Sequence, residues 1–206
     1  MNKKIILLFQ IIFLGFFLIF RQDSYAQEAK TILSIEAYDM VNTLPDTYLI
    51  DVRTRAEYQF VGHPINAYLF PYMFMTKNFK NKDNEHCYLF NEKNKDIVED
   101  ISKVFKKTDN LIIICLDGTR SPLAAKELID AGFVNIYNVE YGFEGPKFPF
   151  FKDKNKHKYY RQLAKRNKIH GVTHRRHYGW QWWGLPWTYK IDPKYIYPPD
   201  LTPPKK

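Results

Sequence analysis

Cysteine, glycine, arginine and serine fall close together in Cys115-Leu116-Asp117-Gly118-Thr119-Arg120-Ser121, directly after the aliphatic run Leu111-Ile112-Ile113-Ile114. The run predicts a buried strand. Ser121-Pro122, ahead of an amphipathic stretch at 123–128, predicts a helix with Ser121 as N-cap and Pro122 at its first position, where no N–H is needed. Cys115 then sits at the carboxyl end of a strand and faces a helix N-terminus. Backbone N–H groups and the helix dipole favour negative charge there, and Arg120 adds a fixed cation. These are the surroundings of a reactive thiolate, the form in which cysteine is a nucleophile. The alternative is an inert buried cysteine at a strand end, and the loop of Gly118 and Arg120 argues against it. Gly118 supplies a backbone geometry, or a close approach, that a side chain would block.

The elements that must position this loop are legible on both sides. Residues 34–41 predict a short helix with Ser34 as N-cap and apolar positions at Ile35, Tyr38 and Val41. Pro45-Asp46 marks a turn, residues 48–52 a buried strand, and residues 67–70 a further strand. Residues 94–107 predict an amphipathic helix with Ile97, Ile101, Val104 and Phe105 facing the core. The helix after the loop stops at Ala131-Gly132, and residues 134–139 form another strand. Strands alternating with helices predict an α/β fold with a mainly parallel sheet, and such sheets place ligands at the carboxyl ends of their strands.

Four segments in this order resemble the rhodanese family of sulfurtransferases. They are the loop itself; Tyr48-Leu49-Ile50-Asp51-Val52-Arg53-Thr54-Arg55-Ala56-Glu57-Tyr58; Gly62-His63-Pro64-Ile65-Asn66-Ala67, similar to the family's GHIPGA with the proline moved; and Gly132-Phe133-Val134-Asn135-Ile136-Tyr137-Asn138-Val139 with Tyr141-Gly142-Phe143. The resemblance spans residues 34–145 and implies a rhodanese-like parallel sheet flanked by helices. It implies structural places near the site for Asp51, Arg53, Glu57 and His63, with the two acids held by arginines rather than working as acid–base groups. Cys115 to Arg120 is a Cys-x4-Arg ring, one residue shorter than the loop of related phosphatases, so it resembles the form that holds a terminal persulfide sulfur. The implied reaction is ping-pong. Cys115 takes the outer sulfur of thiosulfate or another persulfide donor, then yields it to a thiol or cyanide-like acceptor. Backbone N–H groups of Leu116, Asp117, Gly118, Thr119, Arg120 and Ser121 would stabilise the charged sulfur. Asp117 counts against an anionic donor, because a carboxylate in the loop repels it. No cofactor is implied. The alternative is a non-catalytic or redox rhodanese-like module used for sulfur sensing, thiol–disulfide exchange or partner binding.

Residues 1–26 read as a signal peptide: a basic Asn2-Lys3-Lys4, an apolar run at 5–20, and the small-x-small site Ser24-Tyr25-Ala26. Export to a periplasmic or extracellular space follows, with membrane attachment only if the segment is not cleaved. The remaining cysteines are Cys87 and Cys115, too few for a disulfide scaffold. Cys87 reads either as an unpaired loop residue or as a resolving thiol for Cys115.

Two segments lie outside the resemblance. Residues 71–93 form an insertion with no clear period, partly ordered by Tyr72, Phe74, Phe79, Tyr88 and Phe90. Residues 146–206 form an irregular extension, basic and aromatic, with 15 Lys and Arg against 3 Asp, whereas residues 27–145 carry a net charge of −5. All four tryptophans lie between positions 180 and 187. A helix is expected near 159–166, and no regular structure after Pro186. The extension reads as a clamp on the domain, as a wall beside Cys115, or as a docking surface for a protein partner or second subunit. His170, His174 and His177 lack the spacing and partners of a metal site, so none is expected. Nucleic acid is not an expected partner, because no recognisable binding motif is present.

Overall fold

In the computed structural model, residues 28–82, 85–145, 153–155, 158 and 178–197 are described. The chain runs β1 (Lys30–Ile32), α1 (Ser34–Thr43), β2 (Thr47–Asp51), α2 (Arg55–Phe60), β3 (His63–Pro64) and β4 (Tyr68–Leu69). It continues as β5 (Met73–Lys82), β6 (Glu85–Lys93), α3 (Ile97–Val104), β7 (Asn110–Ile114), α4 (Ser121–Asp130), β8 (Asn135–Val139) and β9 (Trp187–Thr188), then a 3-10 turn, Pro193–Tyr195. Five strands form one parallel sheet in the order β1-β8-β7-β2-β4. This is the α/β architecture with a mainly parallel sheet that the sequence predicts.

The aliphatic run of β7 is continuous because both faces of the central strand are covered. Leu111 and Ile113 pack with Ile97, Ile101, Ala125 and Leu128 of α3 and α4, in the same cluster as Cys115. Ile112 and Ile114 pack on the other face with Ala37 of α1 and with Trp180, Trp182 and Trp183.

Local starts and stops differ from expectation in instructive ways. Ser34 is not the cap of α1. Leu33 holds that place, its N–H 2.7 Å from Glu36 Oε2, while the buried Ser34 hydroxyl donates to the Gly142 carbonyl. The expected helix at 94–107 is shorter. Asn94 is drawn off to donate to the Pro71 carbonyl, and Val104 at the last turn is solvent-exposed rather than core-facing. The stop at Ala131-Gly132 is present, with Gly132 N–H donating to Ile129 and Phe133 N–H to Leu128.

The insertion is an antiparallel hairpin of β5 and β6. Its strands escaped the periodicity test because a two-stranded ribbon has no sheet to bury one face, so apolar and polar residues need not alternate. Met75, Phe79, Tyr88 and Phe90 on it are all exposed, and Phe79 meets Tyr88 edge to face.

Residues 178–197 of the C-terminal extension pack on the sheet domain. Trp180 and Trp183 are fully buried, and their indole N–H groups donate to the Pro186 and Tyr178 carbonyls. Regular structure does occur after Pro186. β9 pairs antiparallel with β3, and Tyr197 N–H donates to the Leu69 carbonyl, covering the β4 edge. A two-residue strand is too short to leave a pattern in sequence. The expected signal peptide, the helix at 159–166, and His170, His174 and His177 lie outside the described residues.

Candidate active site

Cys115 is the first residue past β7 and is fully buried. Its Sγ accepts from the Gly118 N–H at 3.2 Å and from the Ser121 hydroxyl at 3.3 Å. Ser121 therefore does not cap α4. It is the first helical residue, Arg120 occupies the cap, and the serine hydroxyl turns to the sulfur instead. Both donors, together with the N-terminus of the ten-residue α4, stabilise negative charge on Sγ.

The loop is shaped from behind by the turn after β8. Phe143 N–H donates to the Cys115 carbonyl at 2.8 Å and Glu144 N–H to the Leu116 carbonyl at 2.9 Å. Gly118 has φ +89°, and a Cβ there would overlap the Glu140 carbonyl. Gly142 has φ +61°, and a Cβ there would stand 2.5 Å from the Cys115 carbonyl oxygen. Both glycines are needed for backbone to meet backbone.

Arg120 is gripped by Glu57 of α2, with Nη1 2.9 Å from Oε2 and Nη2 close to Oε1, and its Cζ lies 5.3 Å from the Phe90 ring of the hairpin. Glu57 is presented by a reciprocal cap in which its N–H donates to Thr54 Oγ1 while its carboxylate accepts the Thr54 N–H. Burial pushes the Glu57 carboxyl up. The Arg120 hydrogen bonds and charge, with the Thr54 bonds, outweigh that and hold it below the usual carboxylate range. Arg120 is opposed by burial, and Glu57 raises its pKa despite that.

Asp51 and Arg53 form a second, fully buried pair, Nη2 to Oδ2 2.6 Å. Arg53 also donates to the Gly62 carbonyl at 2.8 Å and lies over the Phe143 ring at 4.2 Å. It thus ties the end of β2 to β3 and to the turn that supports the loop. His63 is buried at the β3–β9 pairing, stacked on Tyr58 at 3.6 Å, with Nδ1 2.9 Å from the Tyr58 carbonyl. Its contacts are with this edge and not with the loop.

Asp117 folds back on its own loop, its Oδ1 accepting from Thr119 N–H at 3.2 Å and Thr119 Oγ1 at 2.7 Å. Cys87 is exposed on β6, and both cysteines are free thiols. Two contributors went unread in the sequence. Thr54-x-x-Glu57 is a capping-box pattern that the sequence does carry. No sequence signal places Phe90 against Arg120.

The Rhodanese-like domain family profile matches residues 34–147, and the chain belongs to that family. A Rickettsia rickettsii protein, the RP600 homolog, is 34% identical over 118 residues, covering 56% of this chain and 85% of the relative. Thiosulfate sulfurtransferase 16 of Arabidopsis thaliana chloroplasts is 30% identical over 121 residues, 57% of this chain and 89% of that protein. The crystal structure of Rv0390 from M. tuberculosis is similar with a TM-score of 0.53 and 25% identity, covering 80% of this chain and all of that one. The chain is thus a rhodanese-like protein with sulfurtransferases among its distant relatives.

Proposed function

We propose that this protein is an exported sulfurtransferase that carries sulfane sulfur as a persulfide on Cys115. The observation that carries the reading is the pair of donors on Cys115 Sγ, one from a loop N–H and one from the Ser121 hydroxyl, at the head of a helix. The thiolate attacks the outer sulfur of the donor. The donor's S–S bond breaks, and its inner sulfur leaves with the bonding electrons, as sulfite when thiosulfate is the donor. A thiol or cyanide then attacks the outer sulfur of the Cys115 persulfide and restores the thiolate. The six-residue ring from Cys115 to Arg120 supports sulfur over phosphate as cargo, because Arg120 is already held by Glu57 and the loop encloses the sulfur closely.

Intact mass after donor treatment tests this. One added sulfur on the chain, removed by cyanide and absent in Cys115→Ser but present in Cys87→Ser, is expected. No added sulfur with thiosulfate or any persulfide donor would sink the reading. Loss of two hydrogens dependent on both cysteines would replace it with thiol–disulfide exchange.

A further inference from the structure

Among the described residues, the arginines beside the sulfur loop are engaged, and a carboxylate of the wrong sign for a dianionic donor sits inside it. Arg120 is neutralised bidentately by Glu57 and covered by Phe90. Arg53 is neutralised by Asp51 and fully buried. Arg55 leans on the hairpin, its Cζ 5.7 Å from the Phe74 ring. Asp117 remains, inside the loop, with only the neutral Thr119 as partner among the described residues.

Its distance from the sulfur is bounded by covalent geometry. The Gly118 nitrogen, 3.2 Å from Sγ, is bonded to the Asp117 carbonyl carbon. The Asp117 carboxylate therefore lies within about 9 Å of Sγ, inside the Debye length of roughly 10 Å at 0.1 M salt. The same carboxylate takes the Thr119 N–H, so that amide is not turned toward a substrate oxygen. A sulfonate group arriving at the mouth would meet a carboxylate, a hydrogen-bonded amide and an Arg120 already held by Glu57.

We infer that Asp117 sets donor choice, and that the donor is an organic hydropersulfide, whose reacting end carries at most one negative charge, rather than thiosulfate. This rests on the persulfide-carrier reading of Cys115 and narrows it. The step balances without a further reagent. Cys115–S⁻ attacks the terminal sulfur of R–S–SH, the S–S bond of the donor breaks, R–S⁻ departs with the electron pair, and Cys115–S–SH remains. Whether R is a small thiol or a protein cysteine leaves this chemistry unchanged.

The test is single-turnover loading of Cys115, followed by intact mass, with thiosulfate and glutathione persulfide compared at low and moderate salt. Wild type should load from the persulfide at least about tenfold faster than from thiosulfate, and salt should speed thiosulfate selectively by screening the repulsion. Asp117→Asn keeps an acceptor for Thr119 and removes the charge. It should raise the thiosulfate-to-persulfide rate ratio about tenfold and abolish the selective salt effect. Equal wild-type rates, or a ratio unmoved in Asp117→Asn, would overturn the inference while leaving the carrier intact. The wild-type salt dependence decides the matter alone if the variant does not fold. Loading from neither donor would remove the carrier reading and this inference with it. A cysteine-persulfide carrier protein that loads Cys115 faster than glutathione persulfide would identify R as a protein thiol.

Discussion

Arg120, the cation of the sulfur loop, is bound to Glu57 of α2 through both guanidinium nitrogens, so the residue that looks positioned to seize an anion instead anchors the loop to the neighbouring helix. Both side chains are nearly buried, and Thr54 braces the carboxylate from behind. Removing one partner of such a pair leaves the other without compensation. Glu57→Gln should lower stability by about 2 kcal/mol and slow persulfide loading at Cys115 about tenfold or more. Urea unfolding and single-turnover mass measurement check the two effects. Unchanged stability would mean that solvent replaces Glu57 at no cost.

Gly118→Ala tests the backbone rather than the charge. The residue has φ +89°, and a Cβ would collide with the Glu140 carbonyl. The loop must shift, and displacement of a reacting group by about 1 Å costs on the order of 100-fold in rate. Loading should fall by about that factor. Far-UV circular dichroism should stay native, because the shift is confined to the loop and the turn behind it. Normal loading would show that the alanine is accommodated.

Ser121→Ala removes the hydroxyl donor to Sγ. Loading should slow about tenfold, and Ser121→Thr, which returns a hydroxyl, should restore it. Unchanged loading in Ser121→Ala would show that the hydroxyl contributes nothing at the sulfur.

The parts of the fold legible in sequence are those whose burial forces a pattern. Leu111 to Ile114 reads as a strand because neither face meets water, and the loop reads as chemistry because Cys115 is followed by a glycine and an arginine ahead of a helix start. The hairpin left no such pattern, since Phe79, Tyr88 and Phe90 are exposed on a ribbon with no sheet beneath it. Ser34 and Ser121 misled as caps for a shared reason. Each is fully buried, and a long-range partner, the Gly142 carbonyl in one case and Cys115 Sγ in the other, takes the hydroxyl from the local N–H. The aromatic extension announced burial but not direction. Only the structure joins Trp180 N–H to the Gly142 carbonyl, one residue from the Phe143 amide that holds Cys115.

That connection makes the extension part of the site's support. Trp183 is fully buried against the β7 face, edge to face with Trp182 at 4.9 Å. Trp183→Ala should cost about 3–5 kcal/mol and loosen the 142–145 turn, so persulfide loading falls along with the urea midpoint. A full-length variant that keeps its midpoint would show that the extension merely rests on the domain.

The pH dependence of stability should carry a histidine signature. Burial pushes the pKa of His63 below its ordinary 6.5, and the Tyr58 carbonyl at 2.9 Å offsets this only in part. Below pH 6.5 the unfolded chain therefore takes up a proton that the folded ring resists, so unfolding binds protons and stability falls with falling pH. The contribution is fully present above about pH 6.5 and is lost as pH drops toward the folded value, with a slope of at most about 1.4 kcal/mol per pH unit. Glu57 loses its stabilising charge lower, as pH falls below the ordinary 4.5 toward its depressed folded value, so the two windows separate. Urea midpoints measured from pH 7.5 to 5 should decline in wild type and decline less in His63→Gln, which cannot gain the proton. Identical slopes would show that the ring is protonated as readily in the fold as in the open chain.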